Sequence, residues 1–401
     1  MLGSLSLIIL IGLTMASIMN KIDMPKIIGM LITGIVLGPF VLDLIDSSIL
    51  QISTELRQIA LIIILIKAGI TLDLKDLKKV GRPAILMSFL PATFEIIAYF
   101  VFAPIMLGIS RIDALVMGSV LAAVSPAVVV PRMVNLIEKR IGTKESIPQM
   151  ILAGASLDDI FVIVLFTTFL NISIGGRTNF MSFINIPTSI ILGIVLGIFV
   201  GYILTEFFEF FYKRGKYIRN SLKVLIIMGI AFGLIEFQNI IEDYISISGL
   251  LAVVAMSAVI KIRASKLVSS RIAEKTGKMW LVAEVFLFVL VGAAVDIRYT
   301  LEAGLPAILL IFIALAIRAI GVIVCMMGTN ITFKERIFCV ISYLPKATVQ
   351  AAIGSIPLAM GLGSGNIILS VAVLGILITA PLGAIGMDAS YDKLLKKELI
   401  N

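Results

Sequence analysis

The sequence predicts an all-α polytopic membrane protein with thirteen transmembrane helices. They form two six-helix repeats of inverted topology, in which two discontinuous helices cross at the midplane. Three observations carry this. Of 401 residues, 60% are hydrophobic and only 14% charged, and the mean hydropathy is +1.12. A water-soluble fold has no room to bury that much apolar surface, so the bilayer must be the main solvent. Apolar windows of about 20 residues, long enough to cross about 30 Å at 1.5 Å per residue, recur from end to end. Features of the first half also return in the second at a nearly constant offset.

The windows lie near residues 2–19, 26–45, 57–74, 83–109, 113–136, 147–171, 182–212, 221–240, 246–263, 279–297, 303–327, 336–357 and 364–387. The first has no basic flank ahead of it, and its first cation, Lys21, follows it. That pattern reads as a retained span with an external N-terminus, not a cleaved signal peptide. Lys and Arg stay cytoplasmic in short loops. The loops after the odd-numbered windows up to the eleventh, with the C-terminal tail, collect 26 of the 33 Lys and Arg, whereas the opposite side has Arg57, Arg111, Arg177 and Arg298. The C-terminus is therefore expected in the cytoplasm, in a multi-pass protein of the cell membrane. The +8 net charge follows from this bias and is no sign of nucleic-acid binding. Lys67, near the cytoplasmic end of its span, is read as snorkelling to the interface.

Several chemistries are disfavoured. Cys325 and Cys339 sit in or beside apolar spans and suggest no disulfide or metal framework. The chain has no histidine, the commonest metal ligand and general base. No Walker A sequence is present, and Gly361-Leu-Gly-Ser-Gly365 has no preceding strand, so neither marks a phosphate site. An enzyme is not expected, nor any cofactor beyond transported ions.

Four pairings define the repeat. Gly29 and Gly249 sit early in their spans, 220 residues apart. Gly69-Ile-Thr-Leu-Asp73 matches Gly292-Ala-Ala-Val-Asp296 at an offset of 223, and Glu95 and Arg318 share that offset. Ser125-Pro126 and Leu344-Pro345 interrupt equivalent spans at an offset of 219. Residues 1–171 are thus assigned to the first repeat, 172–220 to a linker helix and cytoplasmic loop, and 221–401 to the second. Equivalent spans are seven apart and so run in opposite directions. A proline at mid-membrane removes a backbone hydrogen bond and frees carbonyls that hydrocarbon cannot satisfy, so Pro126 and Pro345 mark breaks bordering a cavity. Half-helix termini and freed carbonyls there can cradle a cation or offset charge.

Five charged residues lie deep within their spans: Glu95, Asp158, Asp159, Arg318 and Lys346. Each costs roughly 2.5–3.5 kcal/mol at the bilayer centre, so each needs a partner or an aqueous pathway. Adjacent helical residues point about 100° apart, so one of Asp158 and Asp159 can bind an ion while the other serves a partner. Ser156 shares a face with Asp159, and Ser125 borders the break. Carboxylate, hydroxyl and carbonyl oxygens suit a hard monovalent cation such as Na⁺ or Li⁺. Desolvation favours the neutral form of a carboxylate, so one oxygen can hold a proton or a cation in turn. Arg318 needs a permanent counter-ion, for which Glu95 is the candidate. Lys346 pairs with Asp158 or neutralises half-helix dipoles, and Gln350 shares its face.

At these residues the chain resembles the monovalent cation/proton antiporter superfamily, most closely its sodium/proton antiporter branch with sodium/hydrogen exchanger-like proteins. The likeness is carried by Ile28-Gly-Met-Leu-Ile-Thr-Gly-Ile-Val-Leu-Gly-Pro39, Pro91-Ala-Thr-Phe-Glu95, Val124-Ser-Pro-Ala-Val-Val-Val-Pro131, Gly154-Ala-Ser-Leu-Asp-Asp159 and Leu344-Pro-Lys-Ala-Thr-Val-Gln-Ala-Ala352. The resemblance implies the sodium/proton antiporter fold and a homodimer embedded in membrane lipid. It further implies that a core domain, mainly 83–171 and 303–387, moves in an elevator-like cycle against a dimerisation domain made by the remaining helices. It assigns Asp159 to the ion and proton, and Asp158 to the first place of the pair. Electrogenic bacterial members often have lysine where this chain has Arg318. Arginine there, together with Glu95, resembles electroneutral-like members and favours one proton per ion, or two if Lys346 deprotonates in the cycle.

Other classes fit less well. The same architecture could exchange K⁺. Intramembrane aspartyl proteolysis needs its acids on different helices near a Gly-x-Gly-Asp, whereas these are adjacent and Gly363-Ser-Gly-Asn366 lacks the acid. A channel filter would repeat about an axis along the membrane normal, unlike an inverted repeat.

Overall fold

The computed structural model describes residues 1–71, 81–175, 180–241, 245 and 247–397. Asp73 and Arg177 lie outside the described residues, as do the side chains of Ser156, 180–187, 190, 297 and 299–303. In chain order the helices are α1 (Leu2–Lys21), α2 (Lys26–Leu37), α3 (Ser47–Gln51), α4 (Ser53–Thr71), α5 (Arg82–Met87), α6 (Leu90–Leu107), α7 (Arg111–Ala122), α8 (Pro126–Glu138) and α9 (Ile147–Ile174). They continue as α10 (Phe180–Lys213), α11 (Asn220–Ile241), α12 (Gly249–Arg263), α13 (Lys266–Ala293), α14 (Ile297–Cys325), α15 (Phe333–Ser342), α16 (Thr348–Ile353), α17 (Ile356–Ala359) and α18 (Gly365–Leu394).

The fold is all-α. Among the described residues, nine helical stretches are long and apolar enough to cross a bilayer, each in one of the thirteen predicted windows. The other four windows contain α2 with 12 residues, α12 with 15, the interrupted pair α15 and α16, and α4, which carries Glu55, Arg57 and Lys67. Length and apolarity alone therefore support nine spans, not thirteen. α2, α12, α15 and α16 are short, and α4 is long enough but carries three charges.

Local sequence sets the helix ends. Ser110 accepts from the Asp113 N–H to start α7, and Asp296 accepts from the Arg298 N–H to start α14. Thr332 and Glu335 form a capping box on α15. Pro126 stands at the first position of α8, where no intrahelical N–H is needed, and Ser125 before it is extended.

The described chain divides into two compact units. One comprises Met1–Thr54, Asp73–Ile174 and Val285–Asn401. Here α6 packs on α7 and α14, α7 on α9, and α18 on α14 and α15. The other comprises Glu55–Leu72 and Gly175–Glu284. In it, α10 meets α12 through Gly193, Gly197 and Gly201, four residues apart, where any Cβ would run into the backbone at Ser248, Ala252 and Met256. Small residues at this spacing let helices approach where no hydrophobic effect drives them together. Lys67 meets an aromatic ring. Its ammonium lies 5.8 Å from the Trp280 ring centroid.

Close approaches also recur in repeat register. A Cβ on Gly292 would collide with Leu31 and Gly34, and a Cβ on Gly69 with Val254 and Ser257. Each residue of the first set maps onto one of the second at an offset of 223. Gly69→Val and Gly292→Val are each expected to destabilise the protein by about 1–3 kcal/mol through overpacking. Gly229→Val should be near neutral, since nothing lies within 4 Å of its Cβ position. Thermal unfolding of the three purified variants in detergent checks this.

Candidate functional site

The site grows out of two gaps in helical hydrogen bonding, residues 123–125 between α7 and α8 and residues 343–347 between α15 and α16. The gaps touch, because the Ser125 N–H donates to the Pro345 carbonyl at 2.7 Å. Where α7 stops, the carbonyls of Leu121, Ala122 and Ala123 lose their helical partners. Three side chains from the second half replace them. Lys346 Nζ donates to Leu121, Arg318 Nη1 to Ala122, and Gln350 Nε2 to Ala123 at 2.7 Å and to Leu121 at 3.3 Å. Gln350 Oε1 also accepts the Ala347 N–H at 2.8 Å.

Freed N–H groups are satisfied in the same register. The Val124 N–H donates to Asp158 Oδ2 at 2.8 Å, and the Lys346 N–H to Thr379 Oγ1 at 3.0 Å. Val124 and Lys346 are 222 residues apart, Asp158 and Thr379 are 221 apart, and each acceptor lies on the long helix after the break.

The four charges around these gaps form a closed network. Arg318 reaches Glu95 at 2.7 Å through Nη1 and Asp158 at 3.3 Å through Nη2, while Lys346 lies 2.7 Å from Glu95 Oε1. All four side chains are at most 1% exposed. Lys346 pairs with Glu95 and not with Asp158, one of the two partners the sequence left open. The arginine fork spans both acids, and Lys346 Nζ donates at 2.8 Å to Glu95 Oε2, the same oxygen that Arg318 Nη1 engages. The Arg318 guanidinium also lies 5.4 Å from the Tyr343 ring centroid.

Asp159 stands apart. It follows Asp158 on α9 and is 8% exposed where Asp158 is fully buried. Among the described residues it has no ion pair, and Asp159 Oδ1 has no hydrogen-bond partner. Asp158 Oδ1, Ser125 Oγ and Thr348 Oγ1 are likewise buried without a partner. Such carboxylate and hydroxyl oxygens can receive a hard cation or a proton. Ser156 is on the same helix, one turn before Asp159, with its side chain outside the described residues. Pro126 opens α8, and Pro345 lies within the second gap.

Sequence reasoning passed over Thr379 and the carbonyl-holding role of Gln350. Thr379 was within reach, because Asp158 carried forward by the repeat offset lands on it. Its aliphatic surroundings gave no other signal.

A family model described as "Sodium/hydrogen exchanger, transmembrane" matches residues 6–388. Sodium/hydrogen exchanger 9B2 of Mus musculus is 33% identical over 390 residues, which cover 93% of this chain and 69% of the relative. Sodium/hydrogen exchanger 9B1 of Homo sapiens is 33% identical over 397 residues, covering 93% and 73%. The solved structure of the sodium proton antiporter MjNhaP1 from Methanocaldococcus jannaschii at pH 8 superposes with a TM-score of 0.84 at 22% identity, covering 98% of each chain. That likeness establishes the shared antiporter fold. With nearly the whole length matched and a third of the residues identical to curated relatives, the chain belongs to the transmembrane sodium/hydrogen exchanger family.

Proposed function

We propose that this chain is a secondary active antiporter that exchanges Na⁺ or Li⁺ for H⁺ across the cell membrane, with the two ions competing for the Asp159 carboxylate. One observation carries the reading: Asp159 is the carboxylate of the buried cluster that lacks a cationic partner among the described residues. Glu95 and Asp158 balance Arg318 and Lys346, so the network is neutral without it. An additional buried carboxylate is costly alone and is stabilised by whichever cation joins it. A proton and a metal ion each meet that need, and both cannot do so at once. Ser125, Ser156 and the open Asp158 oxygen would complete the shell around the metal ion, with Asp158 held in place by Arg318 and the Val124 N–H.

Competition at one site becomes exchange when the site opens to alternate sides only while loaded. In the proposed cycle a core of residues 83–171 and 303–387 moves against the remaining helices, which hold a homodimer together in the lipid. The two repeats, 1–171 and 221–401 about the 172–220 linker, supply the pseudo-symmetric states, with the N-terminus outside and the C-terminus cytoplasmic. Lys346 is held by Glu95 and the Leu121 carbonyl, which favours one proton per metal ion, with two exchanged if Lys346 deprotonates in the cycle.

In liposomes with an imposed pH gradient, Na⁺ or Li⁺ should dissipate the gradient, and Asp159→Asn should reduce the response to that of protein-free vesicles. If K⁺ alone does so, the Na⁺/Li⁺ assignment is wrong. Because the ions compete, the apparent KM for Na⁺ should rise as pH falls, approaching about tenfold per pH unit on the acidic limb with little change in maximal rate. Clamping the membrane potential should leave the rate and end point unchanged, and dependence on potential would refute one-for-one exchange. Gln350→Leu should leave ion competition in place but lower stability by about 1–3 kcal/mol for each carbonyl it strands, read as a drop in Tm.

A further inference from the structure

A cavity of about 260 Å³ lies between α14, α18 and the gap at 343–347. Phe312, Leu315, Ala316 and Ala319 line it from α14, and Leu344, Leu382 and the buried Thr379 complete it. Its surface is almost wholly apolar apart from the Thr379 hydroxyl, which is engaged by the Lys346 N–H. Phe312 and Leu382 are each 46% exposed, so the cavity opens outward and not toward the charged network.

Repeat register explains the cavity. Phe89 is equivalent to Phe312 at the 223 offset, and Phe161 to Leu382 at the 221 offset. In the first half, Phe89 and Phe161 pack ring to ring, with centroids 6.0 Å apart and planes at 59°. In the second half a leucine stands where one of those rings would be, and the space it leaves is the cavity.

We infer that this cavity seats one acyl chain of a membrane lipid, which does for the second broken helix what the second aromatic ring does for the first. Depth argues for this occupant. Phe312 and Thr379 each lie about eight or more residues inside the apolar windows 303–327 and 364–387, so the cavity opens at a level where the surroundings are lipid hydrocarbon. Size agrees: an apolar cavity of about 150 Å³ takes a benzene, so this one takes on the order of ten carbons of a chain, whereas a helix about 10 Å across does not enter. A chain seated there packs on Leu344, next to Pro345, whose carbonyl accepts the Ser125 N–H. It therefore braces the point where the two broken helices meet.

The test uses the full-length protein in vesicles containing a phosphatidylcholine with a diazirine midway along one acyl chain, with photolysed sites mapped by mass spectrometry. Labelling of Phe312, Ala316, Ala319, Leu344 or Leu382 should exceed that of Ile105, a 77% exposed residue outside the lining of this cavity, by several-fold. Leu382→Phe should remove the excess and leave Ile105 labelling unchanged. Ala316→Leu narrows the cavity from its other wall and should do the same, which keeps the test decisive if the phenylalanine variant misfolds. In detergent, added phosphatidylcholine should raise the Tm of the unmodified protein more than that of either variant that folds. Labelling no higher than at Ile105, or an excess that survives both substitutions, overturns the inference, as does a cross-link from a second copy of the chain filling the cavity.

Discussion

Hydrocarbon cannot hydrogen-bond, and that constraint organises everything around the two gaps in the helices. A chain that unwinds at mid-membrane must find a partner for each amide and carbonyl it releases. Here the three carbonyls at the end of α7 are met by Lys346, Arg318 and Gln350, all supplied by the opposite half of the sequence. Two of these partners bring charge, which must itself be balanced, and Glu95 and Asp158 do so. The buried ionic network is thus a consequence of breaking the helix. These four residues thus meet a structural need, and the fifth, Asp159, is left without an ion pair among the described residues.

The two adjacent aspartates illustrate how helical geometry divides labour. Being about 100° apart on one helix, they cannot share an environment. Asp158 turns into the network, accepting from the Val124 N–H and from Arg318, and is fully buried. Asp159 turns away from it and retains some exposure. Neither residue type nor sequence neighbourhood separates the two. The helix does, by rotating one of them out of reach of the cations.

Much of this was legible in the sequence because the underlying patterns are strong. Apolar windows give the membrane class, and the proline pair gives the two gaps. The glycine pairs at the 223 offset turn out to be matching close approaches, Gly69 on Val254 and Gly292 on Leu31. What was not legible depended on side-chain reach. Lys346 turns to Glu95, which it shares with Arg318, while Asp158 meets Arg318 alone of the two cations, a three-dimensional fact with no periodic trace. The count of thirteen spans rests on apolar windows alone: among the described residues α4 carries three charges and α12 is short, so neither meets a simple criterion of length and apolarity for crossing.

Every acid of the cluster lies in the first half of the chain and both cations lie in the second. During synthesis the first half therefore enters the bilayer with its carboxylates still awaiting counter-ions, and it cannot reach its final packing until the last spans are made. Neither half is a self-sufficient domain in the electrostatic sense, however closely their contacts mirror one another. The separation of acid from base between the repeats is what makes a single covalent chain, or two co-produced fragments, the smallest unit able to assemble.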